Sequence, residues 1–200
     1  MNRRAMTKPF ALIAALLLPL TLSACNGAPV ERPPLEGAAI GGPFTLTDEN
    51  GKAVQWSDFD GSYRIVYFGY TFCPDVCPTD VATIMQGFTR FEKAQPDLAK
   101  QVQPIFISID PERDTPAIIK EFTGAFHPRL LGLTGTPKQI DDAAKSFAVF
   151  YGKGEETAGG YLMDHSNATV LFGRDGKPIA LLPVDQTPQA MEAELAKWVK

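Results

Sequence analysis

The sequence is poor in the residues that most often carry metal or redox chemistry, since its 200 positions include three cysteines and two histidines. It also lacks a run of lysine and arginine, and its formal net charge is -4 at pH 7. Arg3, Arg4 and Lys8 lie in the leader, so the rest of the chain is more acidic still. An acidic chain without a basic patch is poorly suited to nucleic acid, and we expect no such partner.

A hydrophobic stretch long enough to cross a membrane, about 20 residues, is missing as well. The run from Phe10 to Leu22 is shorter, contains Pro19 and follows a basic stretch, as in the core of a signal peptide. Leu22-Ser23-Ala24-Cys25 comes next and resembles the lipobox of bacterial lipoproteins. That resemblance implies a signal peptide over 1–24, a lipid on Cys25 and a location in the bacterial cell envelope, in the periplasm or extracytoplasmic space. Ordinary secretion with an incidental cysteine is the alternative.

One folded domain is predicted after this leader. Residues 25–42 are rich in proline, glycine and alanine, and we expect them to form a flexible tether from the lipid anchor. The domain is then expected over 43–200, where hydrophobic periodicity is strong. If Cys25 carries a lipid, Cys73 and Cys77 remain as an even pair, which suits an oxidising compartment.

The pattern of the domain predicts an α/β fold. Phe44–Thr47 and Ala53–Trp56 flank an Asn-Gly turn, which predicts a β-hairpin. The segments 63–70 and 102–109 are predicted parallel strands joined by a helix, and a second hairpin is predicted at 168–172 and 178–182. Three Thr-Pro pairs each predict a helix start, at Thr115, Thr136 and Thr187. This order predicts a thioredoxin-like fold with an N-terminal β-hairpin and an inserted helix.

The cysteine pair stands where the first of these strands passes into a helix, in the stretch from Gly69 to Pro78 (GYTFCPDVCP). Ligand sites in α/β sheets lie at the carboxyl ends of parallel strands, and a helix N-terminus favours thiolate. Side chains four apart on a helix have β-carbons about 5–6 Å apart, wider than a relaxed disulfide. A disulfide between Cys73 and Cys77 is therefore predicted only if the loop adjusts, whereas two thiolates on one metal tolerate the spacing.

Two further segments are predicted to reach the same edge of the sheet. Ser108 to Pro116 (SIDPERDTP) leaves the next parallel strand, and Asp110 and Arg113 are predicted either to order the site loop or meet a partner, or to form an internal ion pair. His165, before the strand at 168, occupies the place where thioredoxins carry a cis-proline. We expect it to be a metal ligand, with Asp164 supporting it or lying in a turn. The other histidine, His127, is predicted to be a surface loop residue.

Two cysteines and one histidine suit copper and zinc, and we favour copper because exposed thiolates permit ligand exchange. Zinc stays open as the rival, since three protein ligands and a water resemble a catalytic zinc site. Met163 is a further soft donor, although core packing is the expected role.

The stretches GYTFCPDVCP, SIDPERDTP and YLMDHS (from Tyr161) together resemble the SCO/SenC family of copper chaperones of cytochrome c oxidase assembly. The resemblance implies that Cys73, Cys77 and His165 bind Cu(I) and Cu(II), with Asp75, Asp110, Arg113 and Asp164 around the ligands or facing the partner. It also implies delivery of copper to the dinuclear centre of oxidase subunit II, and reduction of that subunit's cysteines.

Such a protein is a carrier and not a turnover enzyme. A thiol-disulfide oxidoreductase without obligatory copper is the main alternative, and a peroxiredoxin-like peroxidase is a weaker one, with only Thr71 as an echo of that family's motif.

Overall fold

The computed structural model describes residues 31–157 and 160–200. The predicted signal peptide and Cys25 lie outside the described residues. The strands are Thr45–Asp48 (β1), Ala53–Gln55 (β2), Tyr63–Gly69 (β3), Val102–Ser108 (β4), Leu131–Thr134 (β5), Tyr151–Thr157 (β6), Gly160–His165 (β7), Thr169–Phe172 (β8) and Pro178–Leu182 (β9). The helices are Val76–Ala94 (α1), Pro96–Ala99 (α2), Pro116–Gly124 (α3), Pro137–Ser146 (α4) and Pro188–Trp198 (α5). Within the described ranges, no helix has the length and apolar composition needed to cross a bilayer.

One seven-stranded sheet organises the domain, in the order β2-β1-β5-β4-β3-β8-β9. β3 lies inside this sheet, between β4 and β8, and all seven of its residues are buried, as its β-branched and aromatic run predicts. β3 and β4 are parallel, with Gly69 opposite Ser108, so both strands end at the same edge. β8 is antiparallel to β3 and begins at that edge, with Thr169 opposite Tyr67. The predicted meeting of three segments at one edge is therefore confirmed for the backbone.

The predicted helix starts are confirmed. The hydroxyls of Thr115, Thr136 and Thr187 each accept a hydrogen bond from a backbone N–H in the first turn of α3, α4 and α5, and a proline follows each threonine. Both predicted hairpins are present as β1–β2 and β8–β9. The local signals that predicted these elements depend on neighbours in sequence, which is why they were sufficient.

The predicted succession of two helices after β4 is wrong, because strand β5 lies between α3 and α4. β5 pairs with β4 in parallel and with β1 antiparallel, so it is an interior strand of the sheet. Its glycine has a packing reason: a Cβ on Gly132 would lie 2.0 Å from Cγ2 of Ile119 on α3. The helix rests directly on the strand backbone at this point, and a larger residue would push it away.

The segment before the second predicted hairpin is also different from the prediction. β6 and β7 form a two-stranded antiparallel sheet of their own, with Tyr151 opposite His165. His165 is thus the last residue of a hairpin, and not merely a loop residue before β8. The strands are rich in glycine and charge, so their pattern carries little strand signal.

The described part of the predicted tether makes contacts with the domain. Leu35 N–H donates to the carbonyl of Ile179 at 3.0 Å, and Gly41 N–H donates to the carbonyl of Ser146 at 2.9 Å. Leu35 and Ile40 also pack against the core. The compact unit spans Arg32–Lys200 and so includes residues 32–42 of the predicted tether. Residues 25–30 of the predicted tether lie outside the described residues.

Candidate metal centre

The two cysteines stand on either side of the start of α1, as predicted. Cys77 is the second residue of the helix and is fully buried, whereas Cys73 lies in the preceding loop and is half-buried. Both are free thiols in this structure. The backbone N–H of Cys77 donates to Sγ of Cys73 at 3.3 Å, so the open N-terminus of the helix is directed at the Cys73 sulfur.

The surroundings of Cys73 favour its thiolate form. Burial by itself raises the pKa of this thiol, but backbone hydrogen bonds from Cys77 and Asp75 outweigh burial and leave the pKa below its ordinary value. Hydrogen bonds to a charged sulfur stabilise the anion, and the positive end of the helix dipole acts in the same direction. Cys73 is therefore the more reactive of the two sulfurs.

Cys77 has the opposite character. Burial raises the pKa of its thiol to about 12, and the neighbouring Cys73 adds to the increase. Two thiolates side by side repel each other, so ionisation of Cys73 holds the proton on Cys77. A soft cation between the sulfurs would remove this repulsion and allow both to ionise.

His165 meets the cysteine pair from the other side. Its Nε2 lies 3.3 Å from Sγ of Cys77, and its Nδ1 lies 2.9 Å from the carbonyl oxygen of Ser166. Because a carbonyl only accepts, Nδ1 carries the proton of the neutral ring and Nε2 keeps a lone pair facing the sulfur. The rings of Tyr67 and Tyr70 stand edge-on to the imidazole, at 6.4 and 6.0 Å between centroids. The Ser166 carbonyl thus fixes the orientation of the ring, as an acceptor at the second nitrogen commonly does for histidines that bind metals.

The three predicted ligands do not yet form a closed set. Among residues 31–157 and 160–200, no three His, Cys, Asp or Glu side chains are arranged to hold a metal ion. Cys77 is in contact with both of the others, through its backbone to Cys73 and through its sulfur to His165. The donor types fit a soft cation, and one ion held by all three requires an adjustment of the Cys73 loop or of the β6–β7 hairpin.

Asp110 and Arg113 form the internal ion pair that was one of their two predicted roles, and Arg113 also reaches the histidine hairpin. Nε of Arg113 lies 2.5 Å from Oδ2 of Asp110, and its Nη1 donates to the carbonyl of Tyr161 at 2.8 Å. The guanidinium lies 3.7 Å from the centre of the Tyr161 ring, and the Tyr161 hydroxyl donates to Asp110 at 2.8 Å. The pair thereby fixes β7, which carries His165, to the loop after β4.

Asp114 was missed by the sequence reasoning, although it lies in the same motif. Its buried carboxylate accepts hydrogen bonds from the Thr71 N–H at 3.1 Å, the Thr71 hydroxyl at 2.5 Å and the Ser108 hydroxyl at 2.6 Å. Burial raises the pKa of this carboxyl above its ordinary value. Asp114 therefore ties the start of the cysteine loop to the end of β4. An acidic residue one position before a Thr-Pro helix start was the only available signal.

A second buried carboxyl lies beneath the cysteines. The hydroxyl of Tyr67 donates to Oδ2 of Asp80 at 3.1 Å, and burial raises the pKa of both groups. Tyr67 also interacts with Cys77. Neither residue was selected from the sequence, because helix and strand positions of this kind usually serve packing.

The remaining candidates lie around a groove of about 660 Å³ at the mouth of the site. Asp75 and Asp164 both line the groove and are exposed. Asp164 does not support His165 as expected, since the Nδ1 hydrogen bond goes to the Ser166 carbonyl. Asp164 lies in a strand instead, with its carboxylate next to Gly154. Met163 is buried against the core, as expected.

His127 lies away from the cysteines, in the loop after α3. It is less exposed than predicted, with 11% of its side chain accessible. Its Nε2 lies 3.5 Å from Glu92, its ring packs edge-on against Phe88, and its Nδ1 accepts a hydrogen bond from the Arg129 N–H. These contacts give it a structural role.

The model of the SCO1/SenC family matches residues 32–200. The mitochondrial protein SCO1 homolog 1 of Arabidopsis thaliana is 43% identical over 142 residues, which is 70% of this chain and 42% of the relative. An SCO2-like protein of Rickettsia conorii is 37% identical over 158 residues, which is 78% of this chain and 75% of the relative. The chain thus spans less than half of the plant protein and most of the bacterial one.

Solved structures of similar proteins agree with the thioredoxin-like prediction. ScoI of Bradyrhizobium japonicum with copper bound is 42% identical, with a TM-score of 0.72 over 80% of this chain and 99% of that one. BsSco, in which a disulfide switch was identified, is a member of the Sco family of cytochrome c oxidase assembly proteins. It is 26% identical, with a TM-score of 0.62 over 86% of this chain and 99% of that one.

Proposed function

Because the chain belongs to the SCO1/SenC family, we propose that it is a copper chaperone that binds copper through Cys73, Cys77 and His165. The observation that carries the proposal is the 3.3 Å approach of His165 Nε2 to the Cys77 sulfur, with the ring held from its other side by the Ser166 carbonyl. Thiolate and imidazole donors together suit Cu(I) and can also hold Cu(II). Copper in the structure of the Bradyrhizobium relative supports copper over zinc as the cargo.

The three side chains have different tasks in the proposed loading. Cys73 is exposed enough to meet an incoming ion and has the lowered thiol pKa, so it is the first donor. Cys77 joins with loss of its proton, because a bound cation offsets the burial that keeps it protonated. His165 completes the set through Nε2 without a proton leaving, since its proton is on Nδ1.

The proposed recipient is the dinuclear copper centre of cytochrome c oxidase subunit II. The link of BsSco to oxidase assembly supports this choice of recipient. We further propose that residues 1–24 are a signal peptide and that a lipid on Cys25 holds the domain at the bacterial envelope. The Leu-Ser-Ala-Cys sequence supports the anchor, and the similarity to a rickettsial protein is consistent with a bacterial envelope.

A second candidate function is thiol-disulfide exchange with the same recipient. The opposite pKa shifts of the two thiols favour it, because an exposed nucleophile beside a buried partner is the arrangement of a disulfide reductase. The disulfide switch of BsSco supports a reversible Cys73–Cys77 bond as the oxidised form. In this reading His165 is dispensable, which separates the two functions.

Copper addition to the full-length protein in detergent tests the first proposal. We expect one copper per chain by metal analysis and a thiolate-to-Cu(II) absorption band, which disappears in Cys73→Ser and in Cys77→Ser. His165→Ala should lose Cu(II) binding, while His127→Ala serves as the matched control and should keep it. Equal Cu(II) binding by His165→Ala and the unmutated protein would falsify the three-ligand site. Reduction of an oxidised subunit II domain by His165→Ala, at the unmutated rate and without copper, would favour the second function.

A further inference from the structure

The exposed apolar side chains of the domain are concentrated around the cysteine pair. In the described part of the chain, the large hydrophobic residues with exposed surfaces are Phe72 at 48%, Val76 at 45%, Phe150 at 69% and Leu181 at 56%. Phe72 and Val76 flank the Cys73 loop, and Phe150 and Val76 line the groove beside Cys73. Only Leu181, on the edge strand β9, is elsewhere. Exposed apolar surface gathered at one place marks a contact surface.

Phe150 is held in its exposed position by the backbone. Its carbonyl accepts a hydrogen bond from the Ser166 N–H at 2.9 Å, and its own N–H donates to the Ser166 hydroxyl at 3.1 Å. Ser166 follows His165, so the backbone of Phe150 is held next to the histidine and its ring is presented at the mouth of the site. Because Phe150 stands beside Val76 at one groove, its exposed ring is part of a grouped apolar surface, which marks a contact site more than a single exposed residue would.

The charged side chains that line the groove beside Cys73 have one sign. Asp75 and Asp164 line the groove with Phe150, and neither lysine nor arginine is among the described residues that line it. The cations of the neighbouring segments are already engaged, since Arg113 pairs with Asp110 at 2.5 Å and Lys153 pairs with Glu112 at 2.7 Å. The groove is thus apolar with an acidic border. Such a border repels an anionic lipid surface and attracts a cationic protein segment.

We propose that Phe150, Val76 and Phe72, bordered by Asp75 and Asp164, form the docking surface for the protein that receives copper. The partner is one that presents an apolar side chain flanked by lysine or arginine next to its own copper ligands. The apolar contact sets the lifetime of the complex, and the carboxylates set the rate of encounter. This inference rests on the proposed function and adds the chemistry of the partner to it.

The test uses full-length, copper-loaded protein and the metal-free soluble domain of oxidase subunit II from the same organism. Copper transfer is followed by stopped-flow loss of the thiolate-to-copper band at low and high salt. Phe150→Ser and Asp164→Lys are compared with two control variants outside the groove. Leu181→Ser also removes an exposed apolar side chain, and Glu36→Lys also reverses an acidic charge. Copper content of each variant is measured first, so that a loss of loading is not read as a loss of docking.

We expect Phe150→Ser to raise the acceptor concentration that gives half-maximal transfer about tenfold. Asp164→Lys should slow transfer about tenfold at low salt, with little difference at high salt. Both controls should transfer copper at the unmutated rate. In the unmutated protein, transfer should slow as salt is added.

Three results would overturn the docking surface. The first is transfer by loaded Phe150→Ser and Asp164→Lys at the unmutated rate. The second is an unmutated transfer rate that does not depend on salt, which removes the charge argument without any variant. The third is a dimer of the unmutated protein, seen by sedimentation, that Phe150→Ser dissociates while transfer is unchanged. If the unmutated protein itself delivers no copper to subunit II, the proposed recipient is wrong, and the docking proposal is rejected together with it.

Discussion

The carboxylate of Asp114 accepts hydrogen bonds from both the backbone N–H and the hydroxyl of Thr71, at 3.1 and 2.5 Å, across 43 positions of sequence. Thr71 begins the loop that ends at the cysteine pair. The position of Cys73 therefore depends on a buried acid that belongs to a different loop. This relationship gives the first of five predictions.

Replacement of Asp114 should destabilise the protein and loosen the cysteine loop. Asp114→Ala leaves the Thr71 N–H and two hydroxyls without their acceptor, and a loss of about 3 kcal/mol in the free energy of unfolding is expected. Asp114→Asn keeps one acceptor and should lose less. Urea unfolding measures both, and equal stability of Asp114→Ala and the unmutated protein would show that the hydrogen bonds contribute nothing.

The same carboxyl gives a pH dependence with a defined sign. Burial raises the pKa of Asp114 in the folded state, so the folded protein binds the proton more tightly than the unfolded chain. The stability from that proton is fully present below the ordinary pKa and is lost as pH rises through the raised pKa. The unmutated protein should therefore lose stability relative to Asp114→Asn from about pH 4 upward. A gain in stability of the unmutated protein over Asp114→Asn as pH rises would contradict a raised pKa for Asp114.

The two histidines should respond differently to substitution. His165→Ala removes the imidazole 3.3 Å from Cys77 and should weaken Cu(II) binding about 100-fold or more, beyond the effect typical of a supporting residue. Cu(I) binding should fall much less, because two thiolates suffice for this softer ion. Competition titrations with chelators for each oxidation state measure the difference. His127→Ala, whose ring contacts Glu92 and Phe88, should change stability and leave both affinities in place.

The two thiols should react with alkylating reagents at very different rates. Cys73 is half-buried with a lowered pKa, and Cys77 is fully buried with a pKa raised to about 12. At pH 7, iodoacetamide should modify Cys73 at least about tenfold faster, since the thiolate is the nucleophile. Peptide mass spectrometry distinguishes the two sites from Cys25. Preferential modification of Cys77 would reverse the proposed order of donors.

Arg113 should act on copper through the hairpin that carries His165. Arg113→Met removes the hydrogen bond to the Tyr161 carbonyl and the pair with Asp110, and Cu(II) binding should weaken about tenfold. The Cu(II) spectrum should shift as well, because the imidazole is held less firmly. Arg129→Met is the matched control, since Arg129 also joins a carboxylate, Glu92, and an aromatic ring, Phe88, but away from the cysteines. An unchanged Cu(II) spectrum in Arg113→Met would mean that Arg113 stabilises the fold and does not position His165.

Prediction from sequence succeeded where the signal was local. The Thr-Pro pairs predicted the starts of α3, α4 and α5, because each cap is satisfied by the next residues along the chain. β3 was predicted by its continuous apolar run, which is visible in the sequence although its partners β4 and β8 are distant. β5 was missed because a four-residue strand containing glycine owes its pairing to β4 and β1 and its glycine to the close approach of Ile119. Its stability comes from residues distant in sequence.

The site was predicted to a similar extent. Cys77 and His165 were predicted to meet because the parallel strands end, and the antiparallel β8 begins, at the same edge of the sheet. Their contact at 3.3 Å agrees with that prediction. The hydrogen bonds that hold these residues were not predictable, since Thr71 finds Asp114 and Tyr161 finds Asp110 only after the loops have folded. The expected support of His165 by Asp164 failed for the same reason, as a nearby backbone carbonyl took its place.

The hairpin of β6 and β7 shares no strand with the main sheet, although it carries one of the three proposed ligands. The two sulfurs belong to the loop and first turn that join β3 to α1, and the imidazole belongs to a separate small sheet held by Arg113 and Tyr161. For the proposed ligand set, one donor can leave without any change in the sheet or in α1. A ligand of the acceptor protein can then enter the vacated coordination position before either thiolate dissociates. Copper would pass by associative exchange, bound to donor and acceptor ligands at the same time, and would not be released as a free ion.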